Sequence, residues 1–198
     1  MDNKIRDALI KLLYDLFNLH PHNTCQVTHL EPLVRVYRGT LSKCDLRILS
    51  IFQLFEGQRK LSITPLVTLW SATPSSTATT ALESLQTLDP VVVFRTCFCF
   101  PVWRRPVCHD FARTNQEDVR LYDPVFLMLL VSQMIAVRPP SSAYSWLELF
   151  KTNVVSLLIR ALSAKDAELR ELALCQIVAL WRRLEVNLPP LLANSMLI

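Results

Sequence analysis

An all-α fold of stacked helix pairs, an armadillo/HEAT-like α-solenoid segment, is predicted by three observations. The chain holds only 2 glycines but 12 prolines in 198 residues. That is too little glycine for the tight turns of a sandwich or barrel, whereas proline suits helix first turns and connections. Apolar residues recur at helical spacing over most of the length. Two segments, LSKCDLRILSIF and LSAKDAELRELAL, place Leu, Ser and Asp at nearly equivalent positions, with an Arg in the first two turns. An acid followed by arginine at the start of a repeat helix is a habit of HEAT-like stacks, where the two can link adjacent layers.

In chain order, Ile5, Leu9, Leu12, Leu13, Leu16 and Phe17 make residues 3–18 an amphipathic helix, and a short second helix covers 30–37. Gly39 supplies a turn. Ser42 with Asp45 three residues on reads as a capping box that opens a helix over 43–56, with Leu41 and Leu46 as its hydrophobic staple. Gly57 stands where a left-handed residue would close it. Cys44, Ile48, Ile51, Phe52 and Phe55, widened by Leu46, Leu49 and Leu54, leave this helix polar only along a narrow strip, so it belongs inside a stack. Residues 61–70 continue the stack, and SATPSSTATT at 71–80 lacks periodicity and reads as a flexible loop.

Asp89 and Pro90 form an N-cap and first-turn pair before a helix containing 91–97, although the β-branched run 91–93 suits a strand equally well. Asp123 and Pro124 repeat the device 34 residues later, before an apolar helix over 125–137. Pro139 and Pro140 end that helix, a long helical pattern covers 144–162, and Ser163 with Asp166 reads as a second capping box, opening a helix that runs through Leu184. Residues 1–198 are thus expected to form a single helical-repeat domain.

Composition narrows the function. At 51% hydrophobic residues and a mean hydropathy of +0.28 a membrane has to be considered. The best apolar run, 125–137, has 13 residues and includes Ser132 and Gln133, short of the ~20 that a bilayer needs. The charged start, with Asp2, Lys4, Arg6 and Asp7, has no signal-peptide core behind it, so a soluble, unsecreted chain without a membrane partner is expected. A soluble chain this apolar is expected to bury some of its surface against neighbouring segments or a partner. The net charge of +4 would assist contact with nucleic acid without demonstrating it. The basic pairs Arg59 with Lys60, Arg104 with Arg105, and Arg182 with Arg183 read as solvated edges.

No site chemistry emerges. With Gly39 and Gly57 alone, no glycine-rich phosphate loop, Walker A loop or nucleophile elbow can be written. Cys97, Cys99, Cys108 and His109 have a metal-like look, yet no CxxC pair occurs and the adjacent Cys108 and His109 would sit awkwardly around one tetrahedral zinc, so no metal and no cofactor are expected. His29 and Glu31 match the HxE of zinc deaminases without the PCxxC that must accompany it. His20, His22 and His109 read as polar loop residues, and Trp70, Trp103, Trp146 and Trp181 as packing residues.

Four blocks, in order, carry a family resemblance. YRGTLSKCDLRILSIFQLFE holds Tyr37, Gly39, Leu41, Ser42, Asp45 and Glu56; LDPVVVFRTCFCFP holds Arg95, Thr96, Phe100 and Pro101. YDPVFLMLL holds Tyr122, Asp123 and Pro124, and ALSAKDAELRELAL holds Ser163, Asp166 and Arg170. Over roughly 30–184 the chain resembles the C-terminal domain of the nucleolar pre-ribosomal-associated protein family. The resemblance implies a non-enzymatic helical-repeat scaffold of the nucleolus, and a C-terminal part of a longer protein. It further implies association with pre-60S particles, support for processing of 5.8S and large-subunit rRNA precursors, and partners among early assembly factors, including a DEAD-box RNA helicase, with snoRNPs and pre-rRNA as further contacts. Two other readings stand beside it: an RNA-binding helical module using scattered arginine pairs, and a generic helical-repeat protein-interaction domain.

Overall fold

The computed structural model describes residues 3–60, 62–63, 70–72, 78–106 and 120–187. Among the described residues the structure is all-α. Its helices are α1 (Asn3–Leu19), α2 (Pro21–Thr24), α3 (Leu30–Val36), α4 (Lys43–Arg59), α5 (Ala81–Gln86), α6 (Pro90–Phe98), α7 (Pro124–Val137), α8 (Ala143–Lys151), α9 (Val154–Ala161) and α10 (Ala167–Asn187), with a 3-10 turn at Val27–His29. The helix expected over 61–70 lies mostly outside the described residues, as does the middle half of the loop expected at 71–80.

Helix α1 packs along α4. Phe17 and Phe55 have ring centroids 5.8 Å apart, Arg6 reaches Asp45 at 2.9 Å, and the Cys44 thiol donates to Asp7 at 2.8 Å. Matching early residues with early and late with late, these contacts make the two helices run in the same direction, with α3 as the return stroke. Helix α4 is buried nearly all round, at Cys44, Asp45, Leu46, Ile48, Leu49, Ser50, Ile51, Phe52 and Phe55. Helix α7 has the most apolar sequence of the set, buries Val125, Phe126, Leu127, Met128, Leu130, Val131 and Met134, and lies between α5, α9 and α10. Gln176 of α10 donates to the Met128 carbonyl at 2.7 Å and so fixes α10 against α7.

Several element boundaries differ from expectation, each for a local reason. Helix α4 continues through Gly57 to Arg59, and the left-handed closing residue is Lys60, with φ 51°, whose N–H bonds the carbonyls of Glu56 and Phe55. Gly57 is therefore an ordinary helical residue, without positive φ and with nothing within 4 Å of an added Cβ. Gly57→Ala is expected to stabilise the chain by about 0.5–1 kcal/mol, read as a higher urea midpoint, because it lowers the entropy of the unfolded chain at no steric cost.

The long helix expected over 144–162 is two helices. Asn153 adopts φ 62°, Thr152 donates to the Leu149 carbonyl at 2.6 Å, and Asn153 donates to the Pro90 carbonyl at 3.0 Å, so the chain turns and docks α9 beside α6. The second capping box also moves. Asp166, not Ser163, caps α10 by accepting the Leu169 N–H at 3.0 Å, while the Ser163 hydroxyl donates back to the Arg160 carbonyl at 2.8 Å and closes α9. Helix α5, capped by Thr80 through the Glu83 N–H, has no counterpart in the sequence reading, because six residues are too few to display a period.

Candidate functional site

The segments that carry the family resemblance meet in space. Gly39, in a left-handed conformation with φ 68°, turns the chain so that its carbonyl accepts the Asp123 N–H at 2.7 Å, and the Leu41 N–H bonds the Leu121 carbonyl at 3.0 Å. Thr40 and Tyr122 thus form an isolated antiparallel bridge. Leu41, Leu46 and Leu121 close one side as a small cluster of their own, so the expected staple of Leu41 on Leu46 gains a third member from 80 residues away.

On the other side the aromatic rings interlock edge to face. Tyr37 lies 4.7 Å from Phe126 and 5.7 Å from Phe52, and Trp70 lies 5.0 Å from Phe126. The Trp70 indole donates to the Tyr37 carbonyl at 3.2 Å. Thr96 of α6 joins from below: its hydroxyl accepts the Tyr122 N–H at 3.1 Å and donates to the Val92 carbonyl at 2.8 Å. The Tyr122 hydroxyl in turn accepts the Asp89 N–H at 3.3 Å.

Two buried carboxylates anchor this junction. The Ser42 side chain caps α4 through the Asp45 N–H at 3.2 Å, but Asp45 does not complete the expected box, since the Ser42 N–H turns to the Thr40 hydroxyl at 3.3 Å. The Asp45 carboxylate accepts from Arg6 at 2.9 Å, from the Thr40 N–H at 3.1 Å and from the Thr40 hydroxyl, drawing the turn and α1 onto α4. A link between helices through an acid at this position therefore exists, with Arg6 as its cation.

Asp123 caps α7 through the Val125 N–H at 3.0 Å and takes a two-pronged contact from Arg104, at 3.0 Å from Nε and 2.8 Å from Nη2. Arg104 is 1% exposed and Asp123 0%. Arg104 was expected at a solvated edge. The turn at Pro101, whose carbonyl accepts the Arg104 N–H at 2.8 Å, folds it inward because a buried carboxylate requires a cation. The Arg105 side chain stays exposed.

The remaining motif residues lie apart. Buried Pro101 belongs to that turn, and the fourth block reaches the junction through the Lys165 N–H on the Val102 carbonyl, at 2.8 Å. There Arg170 donates to the Ala164 and Lys165 carbonyls at 2.7 and 2.9 Å. Glu56 is exposed at the far end of α4 and Ser163 at the end of α9. Sequence reasoning missed Arg6, Arg104 and the role of Phe126; the one available signal was Asp123 within a strongly apolar stretch, which calls for a partner.

Burial, followed by the Asp123 and Asp45 carboxylates, pushes the Tyr37 hydroxyl well above its ordinary value near 10, and among the described residues the hydroxyl has no hydrogen-bond partner. Burial and the Asp7 carboxylate likewise push the Cys44 thiol up to about 12 from 9.0. A raised value disfavours the ionised form in the folded chain. The stability tied to these groups is therefore complete below their ordinary values and is lost as pH climbs from those values towards the raised ones. Tyr37→Phe is expected to leave the unfolding free energy from urea denaturation at pH 7 unchanged or raise it by up to about 1 kcal/mol, since it deletes an unsatisfied buried hydroxyl, and to flatten the fall in stability as pH rises above 10.

The polar groups of the junction bond one another and the helix ends, so it works as a fastening. Among the described residues no three His, Cys, Asp or Glu side chains are grouped to hold a metal, and no helix is long and apolar enough to cross a membrane. Cys108 and His109 lie outside the described residues; Cys97 is half-buried and Cys99 exposed.

The outer surface, by contrast, is apolar in ordered stripes. On α1, Ile5, Leu9, Leu12, Leu16 and Leu19 point away from α4 and are all 41–70% exposed. On α6 Val91, Phe94 and Phe98 do the same, on α8 Tyr144, Leu147 and Phe150, and on α10 Leu174, Val178 and Trp181.

Comparison with known proteins gives no matching family model and no matching solved structure. Among curated proteins the chain is 26% identical over 207 residues to human nucleolar pre-ribosomal-associated protein 1, and 24% identical over 206 residues to the mouse protein of that name. Each alignment covers 93% of this chain, and the chain spans 9% of the length of each relative. Across nearly its whole length, therefore, the chain is similar to nucleolar pre-ribosomal-associated protein 1, in keeping with the family resemblance carried by its four blocks.

Proposed function

We propose that the chain is a non-enzymatic scaffold segment of the nucleolus that associates with pre-ribosomal particles during early large-subunit assembly and supports processing of 5.8S and large-subunit rRNA precursors. The observation that carries this reading is the similarity, over 93% of the chain, to proteins named as nucleolar and pre-ribosomal-associated. The design of the molecule supports it. Its polar chemistry is spent inside, on fastening three distant segments, while apolar stripes on α1, α6, α8 and α10 remain open, as in a helix stack that continues against other helices. On this reading the helices are one part of an α-solenoid, and the buried residues Tyr37, Gly39, Leu41, Ser42, Asp45, Thr96, Tyr122, Asp123 and Pro124 are a structural signature. The partners are early pre-60S factors, among them a DEAD-box RNA helicase, together with snoRNPs.

The test is localisation and sedimentation of the tagged chain in cells. Nucleolar enrichment and co-migration with large-subunit precursors on a sucrose gradient are expected. A signal spread through the cytosol, with the chain at the top of the gradient, overturns the reading.

A further inference from the structure

Arg104 and Arg105 were expected to behave alike, and the fold separates them. Arg104 is consumed by Asp123, whereas Arg105 points outward beside a cleft of about 180 Å³ lined by Trp103, Arg105, Lys165, Asp166 and Ala167. The cleft is built by the hydrogen bond from the Lys165 N–H to the Val102 carbonyl, at 2.8 Å, which joins the turn before α7 to the start of α10. Trp103 is half-buried, and Arg105 and Lys165 are exposed side chains without a hydrogen-bond or ion-pair partner among the described residues. Asp166 is the one acid in the lining, and its carboxylate is already engaged by the Leu169 N–H at 3.0 Å. Arg170, held on the Ala164 and Lys165 carbonyls, adds a third positive charge beside the rim.

We propose that this cleft binds single-stranded RNA, with one base stacked on Trp103 and the flanking phosphates on Arg105 and Lys165. An aromatic side chain beside two exposed cations is the pairing that single strands use: every base offers a π-face and every linkage a negative charge, so binding needs no sequence readout. An acidic peptide would satisfy the cations and leave the indole unused, and it is the weaker fit. The helix start itself is not the attraction, because the Asp166 side chain already caps it. The choice of RNA as probe rests on the pre-ribosomal reading above, while the cleft stands on geometry alone.

The experiment titrates the full chain into a fluorescein-labelled single-stranded RNA 12-mer at 50–200 mM salt and reads anisotropy. Saturable binding is expected, weakened about tenfold or more by Trp103→Ala. Arg105→Ala and Lys165→Gln each reduce the log–log salt slope by about 0.7. Arg182→Gln, on the exposed face of α10, leaves binding unchanged. Lys165→Gln alters only an exposed side chain, so its effect is readable even if Trp103→Ala unfolds the turn. Absence of saturable binding, or binding indifferent to all three cleft substitutions, overturns the proposal. So does displacement of the RNA by an equal charge of poly-glutamate at the same concentration. Loss of RNA binding with intact co-sedimentation would sink this inference alone; loss of co-sedimentation with intact RNA binding would sink only the scaffold reading.

Discussion

Asp123→Asn is expected to lower the unfolding free energy of the full chain by about 3–5 kcal/mol, measured by urea denaturation followed by circular dichroism. Asparagine is nearly the same size and caps helices as well as aspartate does, so neither packing nor the start of α7 changes much. What changes is that Arg104, 1% exposed, keeps its charge and loses the carboxylate that takes its two-pronged contact. Against a total stability of about 5–15 kcal/mol, this is a large fraction of what holds the domain together. Arg104→Met in the same chain should recover part of the loss, since it removes the buried charge whose carboxylate has gone. A double-mutant cycle in which the two substitutions simply add would show that the pair is not coupled and would remove the explanation.

The same pair shows where the sequence could be read and where it could not. The start of α7 was legible because Asp123 followed by Pro124 is a local signal: a side chain that accepts the orphan N–H groups beside a residue pre-set for the first turn. Asp89 with Pro90 gave the start of α6 in the same way. Nothing in the Asp-Pro pair itself distinguishes the two, yet Asp89 is exposed and Asp123 buried against Arg104. The difference arises from the turn at Pro101 and the bridge between Thr40 and Tyr122, contacts across 19 and 82 residues that no spacing rule encodes.

Helix ends follow a related logic. Ser42 was found as a cap because the N–H it accepts lies three residues on. The partner assigned to it, Asp45, had a second use that only the arrival of Arg6 and Thr40 from elsewhere reveals. Gly57 and Ser163 misled for the opposite reason. Each is a good terminator by propensity, and in each case neighbouring residues, Lys60 and Asp166, supplied the termination or the cap instead. Sequence therefore located the helices of the junction while leaving its buried charge pairs invisible. The cleft at Trp103 was invisible too, since it needs Lys165 brought next to Val102.

Gly39→Ala is expected to cost about 2–4 kcal/mol by the same urea measurement, in direct contrast to the gain at Gly57. Two independent penalties act. With φ at 68° an L-residue pays for its Cβ meeting its own carbonyl. An added Cβ would also stand 3.0 Å from Phe126 Cδ1 and 3.1 Å from both Phe126 Cε1 and Trp70 Cζ2. The rings cannot give way, because Phe126 is wedged between Tyr37 and Trp70, and Trp70 is tied to the Tyr37 carbonyl. Nor can the backbone, because the Gly39 carbonyl holds the Asp123 N–H at 2.7 Å and any rotation breaks the bridge that places Asp123 before Arg104. Asparagine separates the penalties, since it tolerates the left-handed region but is larger than alanine. If conformation dominated, Gly39→Asn would be milder than Gly39→Ala; the packing around Phe126 predicts that it is worse. The order Gly, Ala, Asn in falling stability would establish that the close approach of the backbone to the Phe126 ring, more than the turn itself, is what this position requires of glycine.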